Sequence, residues 1–142
     1  VSSILKLLIL TITIGIGFFA SDLYHWGVGR SKSKSLADYC LLTTQPCQID
    51  QVRITVDRDI SQPLIATEVT VEWPDAQGEN LTLLLQGYEM EMGTTVFQLN
   101  KSDPDLFTGK IILPICTTDA MTWVGFITDG TQNVHTSIRM EQ

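Results

Sequence analysis

Most of the chemistry open to this 142-residue chain lies in its sulfur residues. The most distinctive local pattern is Tyr88-Glu89-Met90-Glu91-Met92-Gly93. In an extended strand Met90 and Met92 point to one face, about 7 Å apart along the chain, and Glu89 and Glu91 point to the other. The two glutamates and Gly93 mark a strand end near the surface. Cys116 follows the run Leu113-Pro114-Ile115 in an expected loop, and Met121 opens the next strand. Strand ends gather with loops at one pole of a sandwich, so Met90, Met92, Cys116 and Met121 could meet there. Neutral thioethers with one thiolate suit soft Cu(I) and disfavour Zn(II), which prefers Cys and His. His135 is a reserve imidazole ligand. The competing reading is packing: methionine fills irregular gaps in cores, and a lone cysteine is usually a small buried hydrophobe.

The other two cysteines, Cys40 and Cys47, would close a short loop containing Pro46. A disulfide across about eight residues restricts the unfolded chain by ~2–3 kcal/mol. The pair is not a C-x-x-C redox motif, and its spacing fits no common zinc pattern. Three readings stay open: a staple on the segment leading into the domain, a redox-active or metal-binding pair, or two inert thiols. If Cys40 and Cys47 pair in an oxidising compartment, Cys116 is left over and needs burial, a partner or a metal.

Recognisable catalytic motifs are absent from the sequence. The sequence has no glycine-rich phosphate loop, no G-x-S-x-G elbow and no H-E-x-x-H. With His25 and His135 as its two histidines, no nucleophile with a positioned base can be named, and a non-enzymatic role is expected. Asn80-Leu81-Thr82 fits a glycosylation sequon, which matters only in a eukaryotic secretory pathway.

Positioning these residues falls to β-structure. Val52, Ile54 and Val56 alternate with polar residues, as do Thr67, Val69, Val71 and Trp73 between Ile65 and Pro74. Further strands are expected over Leu81–Gln86, Met90–Leu99 (broken near Gly93), Leu106–Leu113, Met121–Thr128 and Val134–Met140, with an Asp129-Gly130 hairpin turn between the last two. Seven short strands without a helical pattern predict an all-β fold, an immunoglobulin-like β-sandwich. Val69, Val71, Trp73, Leu83, Leu85, Phe97, Ile112 and Phe126 are its expected core.

Ahead of the domain, Ile4 to Ala20 is apolar apart from Lys6, which can snorkel. At 1.5 Å per residue this helix would span about 26 Å, short but enough to cross a bilayer. Tyr24 and Trp26 fall where an interfacial aromatic belt would lie. An uncleaved anchor fits better than a signal peptide, because Phe18 is a poor residue ahead of a cut after Ala20. A buried core helix is the third reading. The expected organisation is thus an anchor over 1–26, a linker over 27–38 and a β-sandwich domain over 39–142.

Charge bears on both orientation and partners. Arg30, Lys32 and Lys34 follow the helix, and by the positive-inside rule they would hold the domain in the cytoplasm. The cysteine pair argues for the opposite side, and a long domain can translocate regardless of charge. A domain on the periplasmic side of an inner membrane is therefore expected. From Ser35 onward five basic residues face fifteen acidic ones, a formal charge of about −10. No basic patch is visible, which excludes nucleic-acid binding.

The order of features resembles the FixH-like and YtkA-like families of bacterial envelope proteins. An anchor and linker lead into a β domain with Met90-Glu91-Met92-Gly93, then Leu106-Phe107-Thr108-Gly109-Lys110 with Ile111-Ile112-Leu113-Pro114, then Met121-Thr122-Trp123. The similarity covers residues 65 to 128. It implies an immunoglobulin-like fold and a role in copper supply to, or assembly of, a haem-copper respiratory oxidase. The expected function is a membrane-anchored accessory protein that binds Cu(I) and works with an oxidase complex or its assembly factors. The alternative is an interaction module that docks on a membrane complex without metal.

Overall fold

A computed structural model describes residues 2–28 and 35–142; for residue 21 and residues 23–28 it describes the backbone alone. The basic residues Arg30, Lys32 and Lys34, and the side chains of Tyr24 and Trp26, lie outside the described residues. The chain forms two units, an apolar helix and a β domain.

Helix α1 covers Ser3–Val28, two residues beyond the expected anchor. Its window Ser3–Ala20 is long and apolar enough to cross a membrane, and none of that window is buried. Thr11 and Thr13 do not interrupt the apolar run, because each hydroxyl donates back to carbonyls one turn earlier: Thr11 to Leu7 and Leu8 at 3.1 and 2.9 Å, Thr13 to Ile9 and Leu10 at 3.0 Å each. At the far end of the expected linker, Leu36–Asp38 is a turn of 3₁₀ helix closed by a capping box between Ser35 and Asp38.

The β domain holds nine strands: β1 (Cys40–Leu41), β2 (Cys47–Ile49), β3 (Val52–Val56), β4 (Thr67–Glu72), β5 (Asn80–Gly87), β6 (Thr94–Asp103), β7 (Leu106–Ile111), β8 (Ala120–Thr128) and β9 (Asn133–Glu141). They form one mixed sheet in the order β1-β9-β8-β5-β6-β7-β4-β3-β2, nearly closed into a barrel. All pairings are antiparallel except β1 with β9. Each of the seven longer strands overlaps one that the alternation predicts, but the fourth is displaced: it runs Thr94–Asp103 rather than Met90–Leu99. The extra two, of two and three residues, are too short to show a period.

These two short strands are the ends of the sheet, and the Cys40–Cys47 disulfide joins them, with Cα atoms 6.2 Å apart. Backbone bonds help close the same seam. Leu42 N–H donates to Ser137 C=O at 2.8 Å, and Val56 N–H to Thr43 C=O at 3.0 Å. Ser61 N–H donates to Arg139 C=O at 2.9 Å and its C=O accepts from Glu141 N–H at 3.0 Å. An open barrel would leave these groups without sheet partners.

The interior is apolar. Val52, Ile54, Val69, Val71, Leu81, Leu83, Leu85, Phe107, Ile111, Trp123 and Ile127 are buried in one cluster, and removing such a side chain from water stabilises by roughly 1.5–3 kcal/mol. Two expected core residues lie elsewhere. Ile112 is 51% exposed, because Ile111 and Leu113 take the inward positions of that segment. Phe126 is half-buried on the outer face beside His135, since the inward neighbour on β8 is Ile127. The alternation of two is correct in both places, but the apolar run hides which parity faces in.

The Asp129-Gly130 turn forms as expected between β8 and β9, with Gly130 at φ +96°. Asp129 organises it. One carboxylate oxygen accepts from Thr131 N–H, Thr131 hydroxyl and Gln132 N–H at 2.8–2.9 Å, and the other accepts from Gln77 N–H at 3.0 Å.

Candidate functional site: a sulfur-lined pole

Met90 and Met92 are not on a strand. The chain leaves β5 after Gly87, bends through Tyr88–Met90, and re-enters regular structure at Thr94. Three local causes pull it out of the sheet. A β-carbon at position 87 would collide with the Met121 methyl and the Met90 carbonyl, so only glycine lets these groups close in. Glu89 is drawn back onto β8. Gly93 takes φ +75°, a left-handed turn that returns the chain to β6. The common face expected from strand periodicity is therefore absent, and the methionines are placed by a loop.

That loop lies over the start of β8, where the other two sulfurs meet. Cys116 Sγ donates to Met121 Sδ at 3.1 Å, and Pro114 C=O is a second acceptor at 3.8 Å. Cys116 is unpaired and 7% exposed; Met121 is completely buried. Gln142 fixes the cysteine loop from the C-terminal side: its side-chain amide donates to the carbonyls of Cys116 (2.7 Å) and Thr118 (3.1 Å), and its N–H donates to Asp119 C=O (2.9 Å).

Met90 joins this pair at its rim. Thr117 hydroxyl lies 3.9 Å from Met90 Sδ, which puts the thioether beside the residue following Cys116. Met92 is half-buried against the core and lines, with Gly87, Glu91 and Gly93, a surface depression of roughly 240 Å³. Thus Cys116 and Met121 touch, Met90 is adjacent, and Met92 belongs to the neighbouring depression. His135 is not part of this pole. It pairs with Phe126, five positions along β8 from Met121, or about 17 Å at strand rise. Its ring packs edge-on against Tyr39 and Phe126, with centroids at 5.8 and 6.1 Å.

Periodicity gave no sign of Glu89. Its carboxylate accepts Thr122 N–H at 2.7 Å and an Arg139 N–H at 3.3 Å, and Arg139 also donates to Thr122 hydroxyl at 3.0 Å. Burial works against the Glu89 charge, but the Thr122 bonds and the Arg139 guanidinium outweigh it and hold the carboxyl below its ordinary value. The sequence carries both partners, a glutamate beside Met90 and an arginine on the last strand, but they are 50 residues apart. Only the fold brings the two together.

The donors at this pole are soft and nearly neutral. Among the described residues no three His, Cys, Asp or Glu side chains gather as metal ligands, so a metal here would depend on thioethers. Two thioethers and one thiol match Cu(I) in softness. The thiol must lose its proton to bind, and burial pushes the Cys116 thiol up, away from the thiolate. No family model matches this chain, and comparison with curated proteins and with solved structures finds no match.

Proposed function

We propose that this protein is a membrane-anchored, extracytoplasmic accessory protein whose sulfur pole takes up Cu(I). Its partner is a membrane complex of the respiratory-oxidase type or the factors that assemble it. The observation that carries this reading is the 3.1 Å Cys116–Met121 contact with Met90 beside it. A helix suited to spanning a membrane and a disulfide in the β domain support the placement on the periplasmic side of an inner membrane. The resemblance to FixH-like and YtkA-like proteins implies an immunoglobulin-like fold, and we read the sheet in that light. Its halves β9-β8-β5-β6 and β7-β4-β3 meet at a short, bulged β6–β7 pairing, and we read them as the two layers of an immunoglobulin-like sandwich.

The test is Cu(I) titration of the full chain in detergent against a competing chelator. About one Cu(I) per chain is expected. Met90→Leu keeps volume and apolarity, so it should cost below ~1.5 kcal/mol of stability while lowering Cu(I) affinity steeply. Met92→Leu should lower it less, because Met92 lines the adjoining depression. Parent protein that binds no Cu(I) defeats the copper reading.

One observation favours a second reading. Met121 is completely buried and Cys116 nearly so, as in ordinary packing. On that reading the pole is core, and the domain acts by docking on a membrane complex without metal.

A further inference from the structure

Two glutamates flank Met90, and they are placed differently. Glu91 is exposed in the wall of the surface depression. Glu89 turns back and substitutes for a missing piece of strand. The β5–β8 ladder ends at the pair Gly87 and Trp123. The next backbone groups on β8 belong to Thr122, directly after Met121. Thr122 C=O accepts from Tyr88 N–H at 2.9 Å, which extends the ladder by one bond. Its N–H would need a strand carbonyl, but the chain has already bent away, and the Glu89 carboxylate fills that position at 2.7 Å. Arg139, which faces Thr122 across the β8–β9 pairing, holds the second carboxylate oxygen at 3.3 Å. Its guanidinium is steadied by Thr122 hydroxyl at 3.0 Å and by Glu141 at 3.5 Å.

We propose that Glu89 is a positioning residue, a latch that holds the Tyr88–Gly93 loop across the start of β8 and so sets access to the Cys116–Met121 pair. Two further observations converge on this. The loop backbone comes close to what it covers, since the Met90 carbonyl and the Met121 methyl both take up the space where a β-carbon on residue 87 would stand. The loop also carries Met90 to Thr117, so releasing Glu89 moves a sulfur of the pole and uncovers the other two. The inference rests on the functional reading of this pole. Thiol access is measured without copper, however, so failure to bind Cu(I) and failure of the latch are separate results.

The experiment uses the full chain in detergent with the Cys40–Cys47 disulfide intact, which leaves Cys116 as the reactive thiol. The rate of Cys116 modification by uncharged N-ethylmaleimide is measured for the parent, Glu89→Ala, Glu89→Gln and Glu91→Ala, alongside each unfolding midpoint. Glu89→Ala should raise the rate at least tenfold at a concentration of denaturant where the domain remains folded. Glu89→Gln keeps an oxygen for Thr122 N–H and should restore part of the protection. Glu91→Ala removes the same charge without the latch and should match the parent. A Glu89→Ala rate within twofold of the parent overturns the latch, as does an equal rise in Glu91→Ala. If Glu89→Ala fails to fold, Glu89→Gln and Arg139→Gln each weaken one side of the pair. Both must then raise the rate, and parent-like rates in both overturn the proposal.

Discussion

Two carboxylates, Glu89 and Asp129, each complete backbone that the sheet leaves unfinished. Glu89 takes the place of a strand carbonyl, and Asp129 gathers three backbone N–H groups and a hydroxyl at a hairpin. Asp129 gives the cleaner pH test. Burial works to raise its pKa, but the N–H groups of Gln77, Gln132 and Thr131 and the Thr131 hydroxyl outweigh it and lower it from 3.8 to about 2. A folded-state value below the unfolded one contributes stability that is present above the unfolded pKa and lost as pH falls through the folded one. The loss from this residue should therefore fall between about pH 4 and pH 2. Asp129→Asn keeps one acceptor oxygen but loses charge-assisted bonds, and should lower stability at pH 7 by about 1 kcal/mol. Urea midpoints at pH 7 and pH 2.5 measure this. The gap between variant and parent should narrow at the lower pH, and a constant gap would assign the acid sensitivity to other groups.

At the scale of strands, the alternation in Val52–Val56 and in Thr67–Trp73 was readable because one face of each is buried and the other polar. Cys40–Leu41 and Cys47–Ile49 could not be read, because two or three residues carry no period. The sulfur pole was half legible. Cys116 and Met121 were expected together at a strand end, and they touch. Met90 and Met92 were expected on a strand, but a crowded Gly87 and the tertiary pull on Glu89 break it, and neither leaves a local pattern. Gly125 is a further contact that pattern cannot reveal. It sits in the middle of β8 between β5 and β9, and a β-carbon there would strike the Leu84 carbonyl and lie 3.1 Å from Leu85 Cα. Those atoms are backbone and cannot swing aside. Gly125→Ala should force β5 and β8 apart and cost about 1–3 kcal/mol, as overpacking does. Urea unfolding checks this, and an unchanged midpoint would mean that the β5–β8 pairing tolerates the strain.

At the scale of the molecule, the disulfide does more than tighten a loop. Cys40 and Cys47 are close in sequence, but β1 and β2 are opposite ends of the sheet, so one bond closes the seam of the near-barrel. Loop-closure entropy accounts for about 2–3 kcal/mol of its effect and would be the same wherever such a loop sat. The seam adds a local consequence. The Leu42–Ser137 and Val56–Thr43 bonds depend on the segment after Cys40 staying between β9 and β3. Reduction should therefore speed hydrogen exchange of the Leu42 and Val56 amides well before those of Leu83 and Ile127, which lie in the buried centre of β5 and β8. A uniform rise across all four would mean the bond acts through global stability alone. The same bond also reports the compartment. Chain isolated under conditions that block thiol exchange, then denatured without reductant, should show one reactive thiol, Cys116. A count of three would mean that the loop is open where the protein is made, and with Arg30, Lys32 and Lys34 following the helix it would move the domain to the cytoplasmic side. A reporter fused after Gln142 and active only in the periplasm decides the matter independently. Activity is expected, and silence beside an active cytoplasmic reporter would remove the extracytoplasmic placement.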